Sequence, residues 1–127
     1  MPYVNLDDNY PEHPKVDGLS DAAFRLHTSA ICYCAKQTTD GKVPPDRPSR
    51  LVPKYRTSAL AELIRSGMWH DLGGGCGTDT CPSGVDGFYQ LHDYLQWNKS
   101  AAWWDHKRTE DARRMAEWRA KNKEKTA

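Results

Sequence analysis

The sequence has no long apolar run. No stretch approaches the roughly 20 consecutive apolar residues that a membrane-spanning helix needs. Residues 1–8 also lack the basic start and apolar centre of a secretory signal. Charge of one sign is not in excess either, because 18 Lys and Arg residues stand against 17 Asp and Glu residues. These absences predict a cytoplasmic protein without a membrane partner.

Residue patterns that catalysis would need are also missing. His27 falls on a predicted core helix, His92 on a predicted strand and His13 in a proline-rich segment, so no sequence pattern pairs them with a catalytic nucleophile. The glycines at 73–75 are not followed by the Lys-Ser or Lys-Thr pair of a phosphate-binding loop. His92 and Asp93 are adjacent, but neighbours on a strand point to opposite faces, so we interpret His92 as a structural histidine. The sequence therefore predicts a protein that is not an enzyme.

The charge that is present is unevenly distributed. Residues 36–56 and 107–125 each carry a local charge of +4, whereas residues 57–106 carry −4. Clustered positive charge is the electrostatic pattern that a nucleic-acid-binding protein needs, although a solvated charged surface gives the same counts. The two basic segments are therefore the first candidates for contact with a polyanion.

Helical periodicity occurs in three segments before residue 67. Ser20 is a good N-cap for a helix that ends near residues 37–41 and buries one apolar face. Prolines allow only a short second helix around residues 46–52. A third helix, capped by Thr57 or Ser58, ends before Gly67. Its expected core face consists of Leu60, Leu63 and Ile64.

A hairpin is predicted to follow these helices. Met68 and Trp69 begin one strand, and residues 88–97 alternate as a second strand with period two. The expected core face of the second strand carries Tyr89, Leu91, Leu95 and Trp97. The glycine-rich loop between the strands has Asp79 as the only charge inside residues 73–85.

The order of these elements predicts an α+β fold of the winged helix-turn-helix type. Such a fold has a three-helix core and a β-hairpin wing, and here it is followed by a C-terminal helix. We expect an extended segment at residues 1–18, the winged-helix domain at 19–99 and a basic, Trp-containing helix at 100–127. Ser100 caps this last helix, whose first turn is expected to dock through a tryptophan.

Four segments of the chain have a recognisable combination of residues. They are LSDAAFRLHTSAICYCA (residues 19–35), TDGKVP (39–44), AELIRSGMW (61–69) and LHDYLQWN (91–98). This combination resembles the N-terminal winged-helix domain of replication-initiation proteins, or replisome organisers, from actinobacterial phages and prophages. The resemblance covers about residues 1–100. It implies duplex DNA binding in replication initiation, close to the nucleoid of a bacterial host cell.

In such a domain the start of the third helix is expected to enter the major groove. Arg56 and Arg65 suit bidentate contacts with guanine, whereas hydroxyl and lysine side chains suit phosphates. The alternative for Arg65 is an ion pair with Glu62 or a position in solvent. The expected DNA-binding residues are Lys54, Tyr55, Arg56, Thr57, Ser58, Ala61 and Arg65, with Arg47, Arg50, Arg113 and Arg114 around them.

The loop between the strands holds a candidate metal site. Cys76 and Cys81 have a spacing compatible with a zinc knuckle, and His70 is near them in sequence. Three states are open for the two cysteines: zinc ligands, a disulfide or thiols. A closed zinc site needs four ligands, and Cys32, Cys34 and His106 are distant candidates. Cys32 and Cys34 are two positions apart on a helix and point in different directions, so we interpret both as buried thiols.

Several roles fit these residues. Beside replication initiation, a winged helix serves equally well in a transcription regulator or an excision factor. A different class is a protein-interaction module, in which residues 100–127 hold a host or phage factor or a second copy of the chain. The basic helix also suits sequence-independent contact with DNA phosphates.

Overall fold

The computed structural model describes residues 3–76 and 81–126, without the side chains of Trp97 and residues 124–126. This part of the chain forms a 3-10 turn, six helices and three short strands. The 3-10 turn spans Tyr10–Glu12. The helices are α1 (Pro14–Asp17), α2 (Asp21–Gln37), α3 (Pro48–Leu51), α4 (Thr57–Arg65), α5 (Tyr94–Trp97) and α6 (Ala101–Thr126). The strands are β1 (Lys42–Val43), β2 (Trp69–His70) and β3 (Tyr89–Leu91).

The long helix α2 is the centre of the core and confirms the expected first helix. The hydroxyl of Ser20 accepts a hydrogen bond from the Ala23 amide at 3.2 Å, which satisfies one donor of the first turn. The helix ends at Thr38, which has a left-handed φ of 51°. Its buried face includes Ala23, Leu26, Ala30, Ile31 and Cys34.

Helices α3 and α4 also have nearly the predicted positions. The prediction that Thr57 or Ser58 caps α4 is wrong, because both residues lie inside the helix and Arg56 occupies the N-cap position without a side-chain cap. Ala59 and Leu63 are buried, while Leu60 and Ile64 are partly buried against the same core. Helix α4 packs on α2. Gly67 follows with a φ of +80°, as predicted for the residue after the helix.

The three strands form one antiparallel sheet in the order β1–β3–β2. Strand β1 was not predicted, because two residues before a proline carry no detectable alternation. The centre of the sheet is buried by the helices, and Trp69 is only 1% exposed. Its indole Nε1–H donates to Nδ1 of His27 on α2 at 2.9 Å. The chain is therefore an α+β protein with one core between the sheet and α2, α3 and α4.

The second predicted strand is too long. Strand β3 ends at Leu91. All three of its residues are buried, so buried and exposed residues do not alternate along it as expected. Asp93 then adopts a left-handed conformation with φ 53° and ψ 29°, and the chain turns into α5. Tyr94 enters the core, where its ring lies against the position of Gly41.

The N-terminal segment is not extended throughout, contrary to the prediction for residues 1–18. Pro11 and Pro14 occupy early positions of the 3-10 turn and of α1, where proline is tolerated because no amide donor is needed. The segment is joined to distant parts of the chain. The Asn5 amide donates to Oδ1 of Asn98 at 3.0 Å.

Helix α6 confirms the prediction for the C-terminal segment. The Ser100 hydroxyl accepts from the Trp103 amide, and the Asp40 carboxylate accepts from the Ala101 amide at 2.7 Å. Trp104 is buried against the ring of Tyr3, whereas the described side chains from 105 to 123 are mostly exposed. Within the described ranges, no helix combines the length and apolarity that crossing a membrane requires.

Candidate functional site

Two histidines and two cysteines converge at the β2–β3 hairpin and its loop. His70 is the last residue of β2, and His92 follows β3 directly. Cys76 and Cys81 come from the loop between the strands. The ligand atoms of the four side chains all lie within 4.8 Å of one another. Cys81 is buried and the other three side chains are half-buried, so the cluster is shielded but reaches the surface.

The distances within the cluster suit tetrahedral coordination. Zinc bonds are about 2.0 Å long to nitrogen and about 2.3 Å long to sulfur. In a tetrahedral site these lengths place two nitrogen ligands about 3.3 Å apart, and a nitrogen and a sulfur ligand about 3.5 Å apart. Nε2 of His70 lies 3.1 Å from Nδ1 of His92. Sγ of Cys76 lies 3.5 Å from the same Nδ1 atom. One ion could therefore contact these groups with little rearrangement.

Backbone hydrogen bonds fold the loop around the cluster. The Gly73 amide donates to the Phe88 carbonyl at 3.2 Å, which extends the hairpin by one link beyond β2 and β3. Further along, the Gly84 amide donates to the Gly74 carbonyl at 3.1 Å. The Cys76 amide donates to the Ser83 hydroxyl at 2.7 Å. Asp79, the charge predicted inside this loop, lies outside the described residues.

His92 is held from two sides. Its Nδ1 faces the cluster, and its Nε2 lies 3.0 Å from Oδ2 of Asp93. The expectation that the side chains of His92 and Asp93 point to opposite faces is therefore wrong. It assumed that both residues lie on a strand, but β3 has already ended and the left-handed Asp93 turns its side chain back toward His92.

The electrostatics of the cluster favour neutral imidazole. Burial lowers the pKa of His70, and the neighbouring His92 lowers it further, with a smaller opposing effect from Asp93. A neutral imidazole is the form that binds a metal ion. At neutral pH His70 therefore needs little deprotonation before it can act as a ligand.

Three side chains of the cluster are those that the sequence indicated as candidate ligands, and the fourth is not. Cys76, Cys81 and His70 come together as expected, without a disulfide between the two cysteines. His92 completes the set in place of the distant candidates. Cys32 is exposed on α2, contrary to its interpretation as buried. Cys34 is buried near the Lys42 carbonyl with a pKa raised by burial to about 11, and His106 lies beside Glu110 on α6.

The predicted DNA-binding residues of α4 lie on its exposed side. Arg56, Thr57, Ser58, Ala61 and Arg65 are all exposed, and Lys54 before them is exposed too. Of the two predicted alternatives for Arg65, the ion pair with Glu62 is absent, whereas the exposure of Arg65 agrees with a side chain that lies in solvent. The Glu62 carboxylate instead accepts a hydrogen bond from the Ser20 amide at 2.8 Å. Among residues 3–76 and 81–126, Arg56 and Arg65 form no ion pair with a carboxylate.

The remaining predicted DNA-binding residues have other contacts. Arg47 lies over the Tyr33 ring at 5.1 Å, and Arg50 lies 3.9 Å from the Asp46 carboxylate. Tyr55 is partly buried against the core. Arg113 pairs with Glu117 at 3.2 Å on α6, where Arg114 is exposed. Near α4, the exposed cations that form no ion pair within the described part of the chain are therefore Lys54, Arg56 and Arg65.

Comparison with known proteins gives no further assignment. No protein-family model matches the chain, and neither a curated protein nor a solved structure is significantly similar to it.

Proposed function

We propose that the protein is a winged-helix DNA-binding protein whose β2–β3 loop is closed by one structural zinc ion. The order α2–β1–α3–α4–β2–β3 and the sheet order β1–β3–β2 support the winged-helix assignment. In this assignment α2, α3 and α4 are the three-helix core, and the β2–β3 loop is the wing. The two parts of the proposal rest on different residues and have separate tests.

The zinc ion is supported by the convergence of His70, Cys76, Cys81 and His92, which is the observation that carries this part of the proposal. Two thiolates and two imidazoles form a donor set that zinc prefers. Four protein ligands leave no open position for water or substrate, which favours a structural role over a catalytic one. The ion would join the ends of β2 and β3 to both arms of the loop.

Metal analysis of protein purified without chelator tests the zinc site. We expect about one zinc ion per chain, and a sulfur-to-metal charge-transfer band after Co²⁺ replaces zinc. Cys76→Ser and His92→Ala should each lower the zinc content strongly. Cys32→Ser is the matched control, because Cys32 is exposed on α2 and far from the ligand set in sequence. Absence of metal from the unaltered chain would rule out the site.

DNA binding is supported by the exposed face of α4. Arg56 and Arg65 are free of carboxylates in the described structure, and hydroxyl groups of Thr57 and Ser58 lie on the exposed surface between them. Such a face suits the major groove, where arginine contacts guanine and hydroxyls contact phosphates. Asp71 and Asp86 of the described loop are exposed acidic residues, so the wing is a weak phosphate clamp.

A mobility-shift series at several salt concentrations tests this interface. Arg56→Ala and Arg65→Ala should each weaken duplex binding by about 1–3 kcal/mol through loss of a guanine contact, whereas Lys54→Ala, at a phosphate-contact position, should reduce the salt slope by about one unit. Lys15→Ala is the control, since Lys15 is an exposed cation on α1, outside the proposed interface. Unchanged affinity in both arginine variants would contradict the assignment of α4.

Replication initiation is the proposed biological role, and it rests on the resemblance of the sequence segments. Selection of bound fragments from the source genome distinguishes it from the two related roles. Enrichment at an origin supports replication, enrichment at promoters supports transcription regulation, and enrichment at an attachment site supports excision. Capture of a protein partner without duplex binding at low salt would instead favour an interaction module built on residues 100–127.

A further inference from the structure

We infer that Asp93 is a positioning residue of the metal centre, fixing His92 so that Nδ1 faces the ion. This inference rests on the proposed zinc site and names a residue outside its ligand set. A histidine that binds metal through one nitrogen donates the hydrogen of the other, and a carboxylate acceptor fixes the ring and strengthens the ligand. In this chain His92 presents Nδ1 to the cluster and Nε2 to Oδ2 of Asp93 at 3.0 Å.

The backbone at Asp93 is specialised for this contact. Adjacent residues in a strand have side chains on opposite faces, so the two side chains meet only because Asp93 adopts φ 53° and ψ 29°. This left-handed conformation is unfavourable for most residues with a side chain but is tolerated by Asp, Asn and Gly. The chain thus leaves β3 through a turn that brings a carboxylate back to the preceding imidazole.

A helix-capping role does not account for the Asp93 carboxylate. Asp93 occupies the N-cap position of α5, where an aspartate commonly accepts from the amides of the first turn. Here its side chain makes no such hydrogen bond. Its second oxygen, Oδ1, is buried without a hydrogen-bond partner in the described structure. The carboxylate is therefore directed to His92 instead of the helix.

Two substitutions separate the carboxylate from the turn. Asp93→Asn keeps a residue that tolerates the left-handed conformation and an oxygen that can accept from His92, but removes the negative charge. Asp93→Gly keeps the turn and removes the whole side chain. If Asp93 orients His92, zinc affinity should fall by about 10-fold in the Asn variant and by up to about 100-fold in the Gly variant. A residue needed only for the turn would leave zinc affinity unchanged in both variants.

The experiment measures zinc affinity of the full chain by competition with a chromophoric chelator. Asp86→Asn is the matched control, because Asp86 is an exposed carboxylate of the same loop and should bind zinc as the unaltered chain does. With Co²⁺, both Asp93 variants should retain the thiolate charge-transfer band, since all four ligands are present. His92→Ala should alter the Co²⁺ spectrum, which identifies the ligand independently.

The outcomes of this experiment are distinct. Zinc affinities of Asp93→Asn and Asp93→Gly within about twofold of the unaltered chain would overturn the role of Asp93 while leaving the zinc site intact, since the typical loss is 10-fold or more. Failure of the unaltered chain to bind zinc, or normal binding by His92→Ala, would overturn the proposed ligand set and the inference with it. A graded loss with an intact Co²⁺ spectrum supports the inference.

Discussion

His27 is a buried histidine that makes stability depend on pH. Its Nδ1 accepts from Trp69, and burial lowers its pKa from 6.5 to about 4. Between these values the unfolded chain binds a proton more readily than the folded chain. The stabilisation is therefore complete above about pH 6.5 and is lost as the pH falls toward about 4.

Urea unfolding at about pH 7 and about pH 5 measures this effect. We expect the unaltered chain to lose about 2 kcal/mol more stability over this interval than His27→Gln, which cannot titrate. Because both proteins contain every other titratable group, only the difference between their pH slopes reports on His27. If the stability of both proteins changed equally with pH, His27 would not contribute to the pH dependence of stability.

The four side chains of the candidate metal site show what the sequence reveals about single residues. Cys76, Cys81 and His70 could be predicted because short spacing brings them together in any compact loop. His92 could not be predicted, for two reasons. Ten residues separate it from Cys81, and a separation of that length sets no distance between the two side chains. The expected strand also continued past Leu91, which placed His92 on a strand that has already ended. The missing information was the left-handed turn at Asp93, which a pattern of apolar residues does not encode.

Among the elements, the turn between α2 and β1 depends on a glycine for two reasons. Gly41 has a φ of +87°, and a Cβ there would lie 2.5 Å from Nε2 of Gln90 and 2.7 Å from Cβ of Tyr94. Both neighbours are buried. Gly41→Ala should therefore destabilise the fold by roughly 3 kcal/mol or more, combining backbone strain with overpacking.

Gly67→Ala is the matched comparison for this element. Gly67 has a similar φ of +80°, but a Cβ there meets nothing within 4 Å. Its substitution should cost about 1 kcal/mol from backbone strain alone. Thermal or urea unfolding of both variants gives the two values. Equal destabilisation would show that contact with Gln90 and Tyr94 adds nothing at Gly41.

Helices and strands differed in how well the sequence predicted them. Helices α2 and α4 span 17 and 9 residues, so the apolar residues recur over more than two turns and the helical period can be recognised in the sequence. Strand β1 has two residues and no periodicity, and its pairing with β3 depends on residues nearly fifty positions away. The sequence therefore predicted the order of α2, α3, α4, the hairpin and α6, but not α1, α5, the third strand or the length of β3.

At the scale of the whole molecule, α6 differs from the rest of the chain. It has 26 residues and extends for about 39 Å, and among its described side chains only Trp104, in the first turn, is buried. Isolated helices of this kind are marginally stable in water. In hydrogen exchange, amides from about residue 108 onward should exchange much faster than those in the centre of α2. Equal protection would show that the distal helix is covered in solution by another molecule.

The long-range contacts of the N-terminal segment have a consequence for synthesis of the chain. The amide of Asn5 is held by Asn98, and the ring of Tyr3 packs on Trp104. At translation rates of about 5–20 residues per second, these partners are made roughly 5–20 seconds after the segment they hold. Residues 3–5 therefore leave the ribosome well before their partners and dock late. A nascent chain paused before Asn98 would leave the Asn5 amide and the Tyr3 ring without these partners until elongation resumed.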